Sequence, residues 1–170
     1  NCQPGQEDAR RCSVEAAIVM MDLLTNTALA NYQRIHVFWP PLHAHLQQLL
    51  ASLQQPSLAA ERAVVNQLRL CVRLAVVDSV RPDLMEALRS LTSLPACLLQ
   101  SLADRISVGL LTLLRAHGAL IKEREDWRPI LSLLQEFASM TPAASVPALE
   151  ALTFLVREEG RVHITANNFE

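Results

Sequence analysis

Leucine recurs at intervals of three and four residues along most of this chain, and this spacing is the feature that most restricts its fold. One example is the run Leu42, Leu46, Leu49, Leu50 and Leu53. Residues spaced in this way lie on one face of an α-helix. The sequence contains 30 leucines but only 4 phenylalanines and 1 tyrosine, so the aromatic residues that favour strands are sparse. We therefore predict an all-α domain.

Composition and charge exclude several classes of protein. The 170 residues fit one domain, and 51% apolar against 19% charged residues exclude intrinsic disorder. A net charge of −2 argues against a nucleic-acid partner. The longest strongly apolar run, residues 106–114, is nine residues long, about half of a membrane span, so we expect no transmembrane segment. We expect reduced cysteines, with Cys71 and Cys97 as small buried hydrophobes.

Helix starts and stops are marked by prolines and polar caps. We predict helices over 13–25, 40–54, 58–78, 82–92, 95–117, 126–140 and 143–157, with a short helical turn before Pro40. Ser13 and Asp126 are the expected N-caps of two of them, and Gly118 the expected terminator of another. The last helix is expected to bury its large apolar residues, which are Val146, Leu149, Leu152, Phe154 and Val156.

The starts of alternate helices indicate a repeat. They fall near residues 13, 57, 95 and 143, with steps of 44, 38 and 48 residues. Helix-pair repeats of the HEAT and armadillo type run about 40–47 residues. We predict a helix-pair α-solenoid of about 3.5 repeats over 13–170, after a flexible segment 1–12; an ordinary bundle with unequal loops is the alternative. We also expect a fragment of a longer array, since the chain lacks an initiator Met and ends on a new helix start at Asn168.

The sequence contains no recognisable catalytic, cofactor-binding or metal-binding motif. His43 and His45 stand two residues apart, so they point to opposite sides of a helix and do not chelate together. We interpret the histidines as surface residues of helices, and Trp39 and Trp127 as core residues. No catalytic residue, cofactor or metal ligand is predicted.

Three arginines form a thin basic ridge on an otherwise apolar helix. Arg62, Arg69 and Arg73 are separated by seven and four residues, which places them within ~40° of arc on a helix. Arginine favours planar contacts to carboxylate or phosphate groups. We therefore predict that this ridge binds a partner. The alternative is that the arginines pair with acids of neighbouring helices, such as Asp22, Asp83 or Glu86.

Several segments together resemble a known module. They are Asn31-Tyr32-Gln33-Arg34-Ile35, Phe38-Trp39, His45-Leu46, Glu61-Arg62-Ala63-Val64-Val65, Leu68-Arg69-Leu70, Arg73-Leu74, Trp127 with Leu133-Leu134, Phe154-Leu155-Val156-Arg157 and the closing stretch 163–170. Their order and spacing resemble a homology-downstream domain of the large Arf guanine-nucleotide exchange factors. The similarity is to the Golgi brefeldin A-resistance-factor subfamily, in the second such domain after the catalytic one.

This resemblance implies a non-catalytic regulatory or interaction module in a factor that loads Arf GTPases with GTP. The family's catalytic domain carries a glutamate after a Pro-Gly turn, and no Pro-Gly-Glu occurs here. The resemblance implies a role in membrane recruitment, autoregulation or assembly, in the cytoplasm and peripherally at Golgi membranes. The expected partners are other domains of the same protein, Arf or Rab-type GTPases, and Golgi lipids or adaptors. The alternatives are a solenoid adaptor unrelated to Arf and a direct lipid binder.

Overall fold

The computed structural model describes the backbone of residues 4–157 and the side chains of residues 14–157. This range contains seven α-helices, two short 3-10 turns and no strand. The helices are α1 (Pro4–Ala30), α2 (Ile35–Ser52), α3 (Leu58–Leu74), α4 (Arg81–Leu91), α5 (Ala96–His117), α6 (Arg124–Ala138) and α7 (Pro142–Val156). The 3-10 turns are Tyr32–Arg34 and Gly118–Leu120. The prediction of an all-α chain is confirmed.

Local signals explain where most helices begin. Ser57 caps α3, because its hydroxyl accepts a hydrogen bond from the backbone N–H of Ala60 at 3.1 Å. Pro82 and Pro142 stand in the first turns of α4 and α7, where the missing N–H costs no helical hydrogen bond. The predicted starts near 58, 82, 95 and 143 agree with the structure to within one residue.

Three predicted helix starts are wrong, and the predicted ends at residues 25 and 78 differ from the observed ends at Ala30 and Leu74. α1 begins at Pro4, nine residues before Ser13, and α6 begins at Arg124, so Asp126 lies in its first turn instead of at its N-cap. α2 begins at Ile35 and stays helical through Pro40 and Pro41, although each proline lacks the backbone N–H donor of a helical hydrogen bond. Gly118 keeps right-handed backbone angles and leads into a 3-10 turn. The division into a segment 1–12 and a domain 13–170 stays a prediction.

The helices form two layers. α1, α3, α5 and α7 lie side by side in the first layer, and α2, α4 and α6 form the second. Neighbours in the first layer pack together more extensively than neighbours in the second.

Side-chain hydrogen bonds among the first three helix pairs join residues 43 or 44 positions apart, whereas the bond from Arg115 on α5 to Glu150 on α7 spans 35. The pairs Asp22–Asn66, Trp39–Asp83 and Glu61–Arg105 are each 44 residues apart, and Asn26–Arg69 and Gln54–Cys97 are 43 apart. Equivalent positions of consecutive repeats therefore lie next to each other in space. The structure is an all-α helical-repeat solenoid, as the spacing of the helix starts predicted.

The face that α7 buries agrees only in part with the predicted one. Leu152 and Phe154 are partly buried and pack against the core, but the other three predicted residues do not. Val146, Leu149 and Val156 are 62%, 51% and 66% exposed. The buried positions are instead Ala144, Pro147, Ala148, Ala151 and Leu155. Small side chains let the backbones of two helices approach closely, and α7 packs most extensively on α5.

α5 is the central helix of the first layer. Together with the 3-10 turn that follows it, residues 96–120 are long and apolar enough to cross a membrane by length and composition alone. More than half of that stretch is buried inside the fold, where α5 packs on α3 and α7. This degree of burial is typical of a core helix, and core helices are often as long and apolar as a membrane span.

Candidate interaction groove

The three ridge arginines lie on α3 but do not form one continuous site. Arg69 and Arg73 are exposed and line a groove in the first layer. Arg62 is half-buried near the start of α3, where it lines a smaller cleft with Glu61 and Arg105. The structure therefore keeps two of the three arginines together.

The groove runs between the C-terminal end of α1 and the facing sides of α3 and α5, and its volume is about 1240 Å³. Its apolar lining includes four valines: Val65 and Val72 on α3, Val76 in the turn after α3, and Val108 on α5. Val76 and Val108 are each 53% exposed. Its basic lining consists of Arg69, Arg73, Arg105 and His117, and none of the described residues that line it is acidic.

A polar seam between α1 and α3, formed by Asp22, Asn26 and Asn66, orients Arg69. The amide of Asn66, which is 1% exposed, donates to Asp22 Oδ1 at 2.8 Å. Arg69 donates from Nη1 to Asn66 Oδ1 at 3.1 Å and from Nη2 to Asn26 Oδ1 at 3.0 Å. Both acceptors are neutral amides, so the seam orients the guanidinium without neutralising its charge.

The other arginines that line the groove differ in whether an acidic side chain pairs with them. Arg105 pairs with Glu61 at 3.0 Å and with Asp104 at 3.3 Å. The hydrogen bond that Arg105 donates to Glu61, followed by the charges of both carboxylates, raises the pKa of Arg105. Arg73 has no ion-pair partner among residues 14–157. The unmatched positive charge of the groove therefore belongs to Arg69 and Arg73.

Of the three acids named as alternative partners of the ridge, one pairs with a ridge arginine among the described residues. Asp22 pairs with Arg62, but the Nε–Oδ2 distance is 3.8 Å and both side chains are partly exposed. Asp83 accepts a hydrogen bond from Trp39 Nε1 at 2.7 Å, and Glu86 is exposed on the second layer. Pairing within the fold thus applies to Arg62 and not to Arg73.

We did not predict from the sequence that α5 forms one wall of the groove. Gly109 stands in the middle of α5, where glycine costs about 1 kcal/mol relative to alanine. A Cβ at this position would lie 2.8 Å from Leu68 Cδ1, so the glycine admits Leu68 of α3 and brings the two walls together. An isolated glycine in a helical pattern was the available signal for this close approach.

Among the described residues, no group of three or more His, Cys, Asp or Glu side chains could hold a metal ion. Trp39 and Trp127 are 2% and 3% exposed, which confirms them as core residues, and the ring of His43 stacks on Trp39 with 5.7 Å between centroids. Cys71 is buried, as predicted, but Cys97 is exposed at the start of α5. His163 and the closing stretch 163–170 lie outside the described residues.

Comparison with known proteins gives several relatives, among them two plant proteins. The chain is 28% identical over 156 residues to the ARF guanine-nucleotide exchange factor GNL1 of Arabidopsis thaliana, covering 91% of this chain and 11% of that protein. It is 26% identical over 145 residues to the ARF guanine-nucleotide exchange factor GNOM of the same plant, covering 85% and 10%.

A third match comes from an animal. The chain is 30% identical over 123 residues to the Golgi-specific brefeldin A-resistance guanine nucleotide exchange factor 1 homolog of Caenorhabditis elegans, covering 71% of this chain and 6% of that protein. No family model and no solved structure matches the chain. The chain thus spans between 6% and 11% of the length of these relatives. It is a homologue of one segment of the Arf guanine-nucleotide exchange factors, which confirms the resemblance found in its motifs.

Proposed function

We propose that this chain is a non-catalytic regulatory and interaction module of a Golgi Arf guanine-nucleotide exchange factor, corresponding to the second homology-downstream domain. It contributes to membrane recruitment, autoregulation or assembly of the factor, which acts in the cytoplasm and peripherally at Golgi membranes. The observation that carries the proposal is the match of most of this chain to a small part of three such factors.

The fold supports a binding role. Helical-repeat arrays present extended concave surfaces to their partners, and the first layer of this array contains a wide groove with two unmatched arginines. In the proposed role the surface contacts another domain of the factor, an Arf or Rab-type GTPase, or a Golgi lipid or adaptor. The name of the nematode relative supports the Golgi as the site of action.

An exchange assay tests the non-catalytic part of the proposal. The 170-residue chain is added to Arf loaded with a fluorescent guanine nucleotide, and the release of the nucleotide is followed with excess GTP present. We expect the release rate to equal that of Arf alone, whereas the catalytic domain of a relative accelerates it. An acceleration by this chain would overturn the proposal.

A deletion experiment tests the regulatory part. The matching segment is removed from the full-length nematode relative, and Golgi association and exchange in solution are both measured. We expect reduced Golgi association with retained exchange on soluble Arf. If both quantities stay unchanged, the segment is not a regulatory module and the proposal is overturned.

A further inference from the structure

The groove between α1, α3 and α5 combines apolar walls with fixed positive charge. Val65 and Val72 on α3 are seven residues apart, which is about 10 Å along the helix axis, and Val76 extends the wall two residues beyond the end of α3. Val108 faces them from α5. A cleft of about 1240 Å³ exceeds the ~300–1,000 Å³ of sites for small molecules. Its size and length therefore suit a segment of polypeptide.

The charges of the groove select the chemistry of that segment. Arg69 and Arg73 are one helical turn apart, or about 6 Å along α3. An arginine has five N–H donors, and the contacts with Asn26 and Asn66 use two of those of Arg69. No acid among the described lining residues competes for the remaining donors.

We propose that this groove binds an amphipathic, acidic α-helix of about three to four turns from a protein partner. Two carboxylates at positions i and i+4 of that helix pair with Arg69 and Arg73. Its apolar stripe packs on the valines of α3 and α5, in the manner of other helix-in-groove complexes. The inference rests on the proposed interaction role and specifies the class of partner.

A membrane surface fits the groove less well. Recognition of anionic lipids relies on clusters of about four to eight basic residues at an exposed surface. Here two unmatched arginines lie in a groove between helices, and the whole chain has a net charge of −2. A bilayer also offers no counterpart to the valine walls within the groove. We therefore assign the groove to a polypeptide.

Fluorescence anisotropy with a synthetic peptide tests the proposal. The probe is a labelled helical peptide of about 15 residues with leucines at i, i+3 and i+7 and two glutamates four residues apart. A second peptide replaces both glutamates by arginine. We expect the acidic peptide to bind the full chain, and Arg73→Glu to weaken its binding about tenfold, or about 1.4 kcal/mol. The arginine peptide is expected to prefer Arg73→Glu over the unmodified chain.

Matched control variants separate the groove from the rest of the surface. Arg128 is exposed on α6, outside the groove, so Arg128→Glu should change the affinity for the acidic peptide less than twofold. Val108→Asp places a charge on the groove wall and should abolish binding. Val146→Asp alters a similarly exposed valine on α7 and should leave binding unchanged.

Three results would overturn the proposal. The first is that the acidic peptide does not bind the chain, and the second is that it binds Arg73→Glu as tightly as the unmodified chain. The third is that the chain binds phosphatidylcholine vesicles containing about one fifth phosphatidylserine instead of the peptide, and that this binding depends on Arg73. These results are distinguishable from failure of the proposed function, because the deletion experiment on the full-length factor measures the module as a whole, through whichever surface it acts.

Discussion

The side-chain amide of Asn66 on α3 donates a hydrogen bond to the carboxylate of Asp22 on α1, with 2.8 Å between Nδ2 and Oδ1. The oxygen of the same amide accepts a hydrogen bond from Arg69. Asn66 is 1% exposed, and a buried amide without partners is costly. This residue therefore joins two repeats and also orients the arginine that faces the groove.

Substitution Asn66→Ala should destabilise the chain. It removes a buried side chain, leaves Asp22 without its neutral donor, and releases Arg69. We expect the free energy of unfolding to fall by about 2–3 kcal/mol, measured by urea denaturation. Arg62→Ala is the control, because the 3.8 Å pair with Asp22 is partly exposed and such pairs contribute about 0–1 kcal/mol. Equal losses in the two variants would contradict this account of the seam.

The double substitution Arg69→Ala with Arg73→Ala should leave the fold intact. Arg69 loses two hydrogen bonds to neutral amides, and Arg73 loses no ion pair with residues 14–157. We expect a loss of about 1–2 kcal/mol in the free energy of unfolding. A loss of about 3 kcal/mol or more, as for broken buried pairs, would show that the ridge is structural, and that result would remove the ground for a binding site.

Local signals predicted the helices well because they act within a few residues. Ser57, Pro82 and Pro142 mark helix starts by capping or by a fixed φ, whatever surrounds them. The continuous helix through Pro40 could not be predicted in this way. Its burial, with Ile35 and Trp39 at 1% and 2% exposure, outweighs the lost hydrogen bonds.

The buried face of α7 and the α5 wall of the groove depend on tertiary structure. α7 is apolar on most sides, so periodicity does not distinguish Val146 from Ala148, and close packing on α5 selects the alanines. The arginines of α3 were predicted because they interrupt an apolar pattern. Val108 and Arg105 were not, because their place in the site follows from how α5 crosses α3 at Gly109.

The thiol of Cys71 should make stability depend on pH in alkaline solution. Burial raises the pKa of Cys71 from 9.0 to about 12, against smaller opposite effects from hydrogen bonds. Below pH 9 the thiol is protonated in both states and has no effect. Above pH 9 the unfolded chain loses this proton while the folded chain keeps it, so stability falls as the pH rises toward 12.

The comparison with Cys71→Ala isolates this effect from other groups that titrate in the same range. Between pH 8 and pH 10, the unmodified chain should lose about 1 kcal/mol more of its unfolding free energy than Cys71→Ala loses. Urea denaturation at both pH values measures the difference. Parallel losses in the two proteins would mean that the thiol ionises in the folded state as readily as in the unfolded one.

Gln67 on α3 lies one turn before Cys71 and is fully buried. Its Nε2 reaches only the sulfur of Cys71, at 3.7 Å, and its Oε1 accepts no hydrogen bond from the described residues. A buried polar atom without a partner costs about 1–3 kcal/mol. Methionine has a similar length and shape and no such oxygen, so we expect Gln67→Met to raise the free energy of unfolding by about 1 kcal/mol.

Gln135→Met provides the matched control, because Gln135 is exposed on α6. Surface substitutions of this kind stay within about 0.5 kcal/mol. The same substitution at Gln67 should also remove the donor that lowers the pKa of Cys71. The folded-state pKa then rises further, so the alkaline loss of stability still begins near pH 9 but continues to higher pH. Destabilisation by Gln67→Met would show instead that the amide makes a contact in solution which offsets its burial. The gain in urea midpoint and the extension of the alkaline loss should appear together, since both follow from replacing one buried amide.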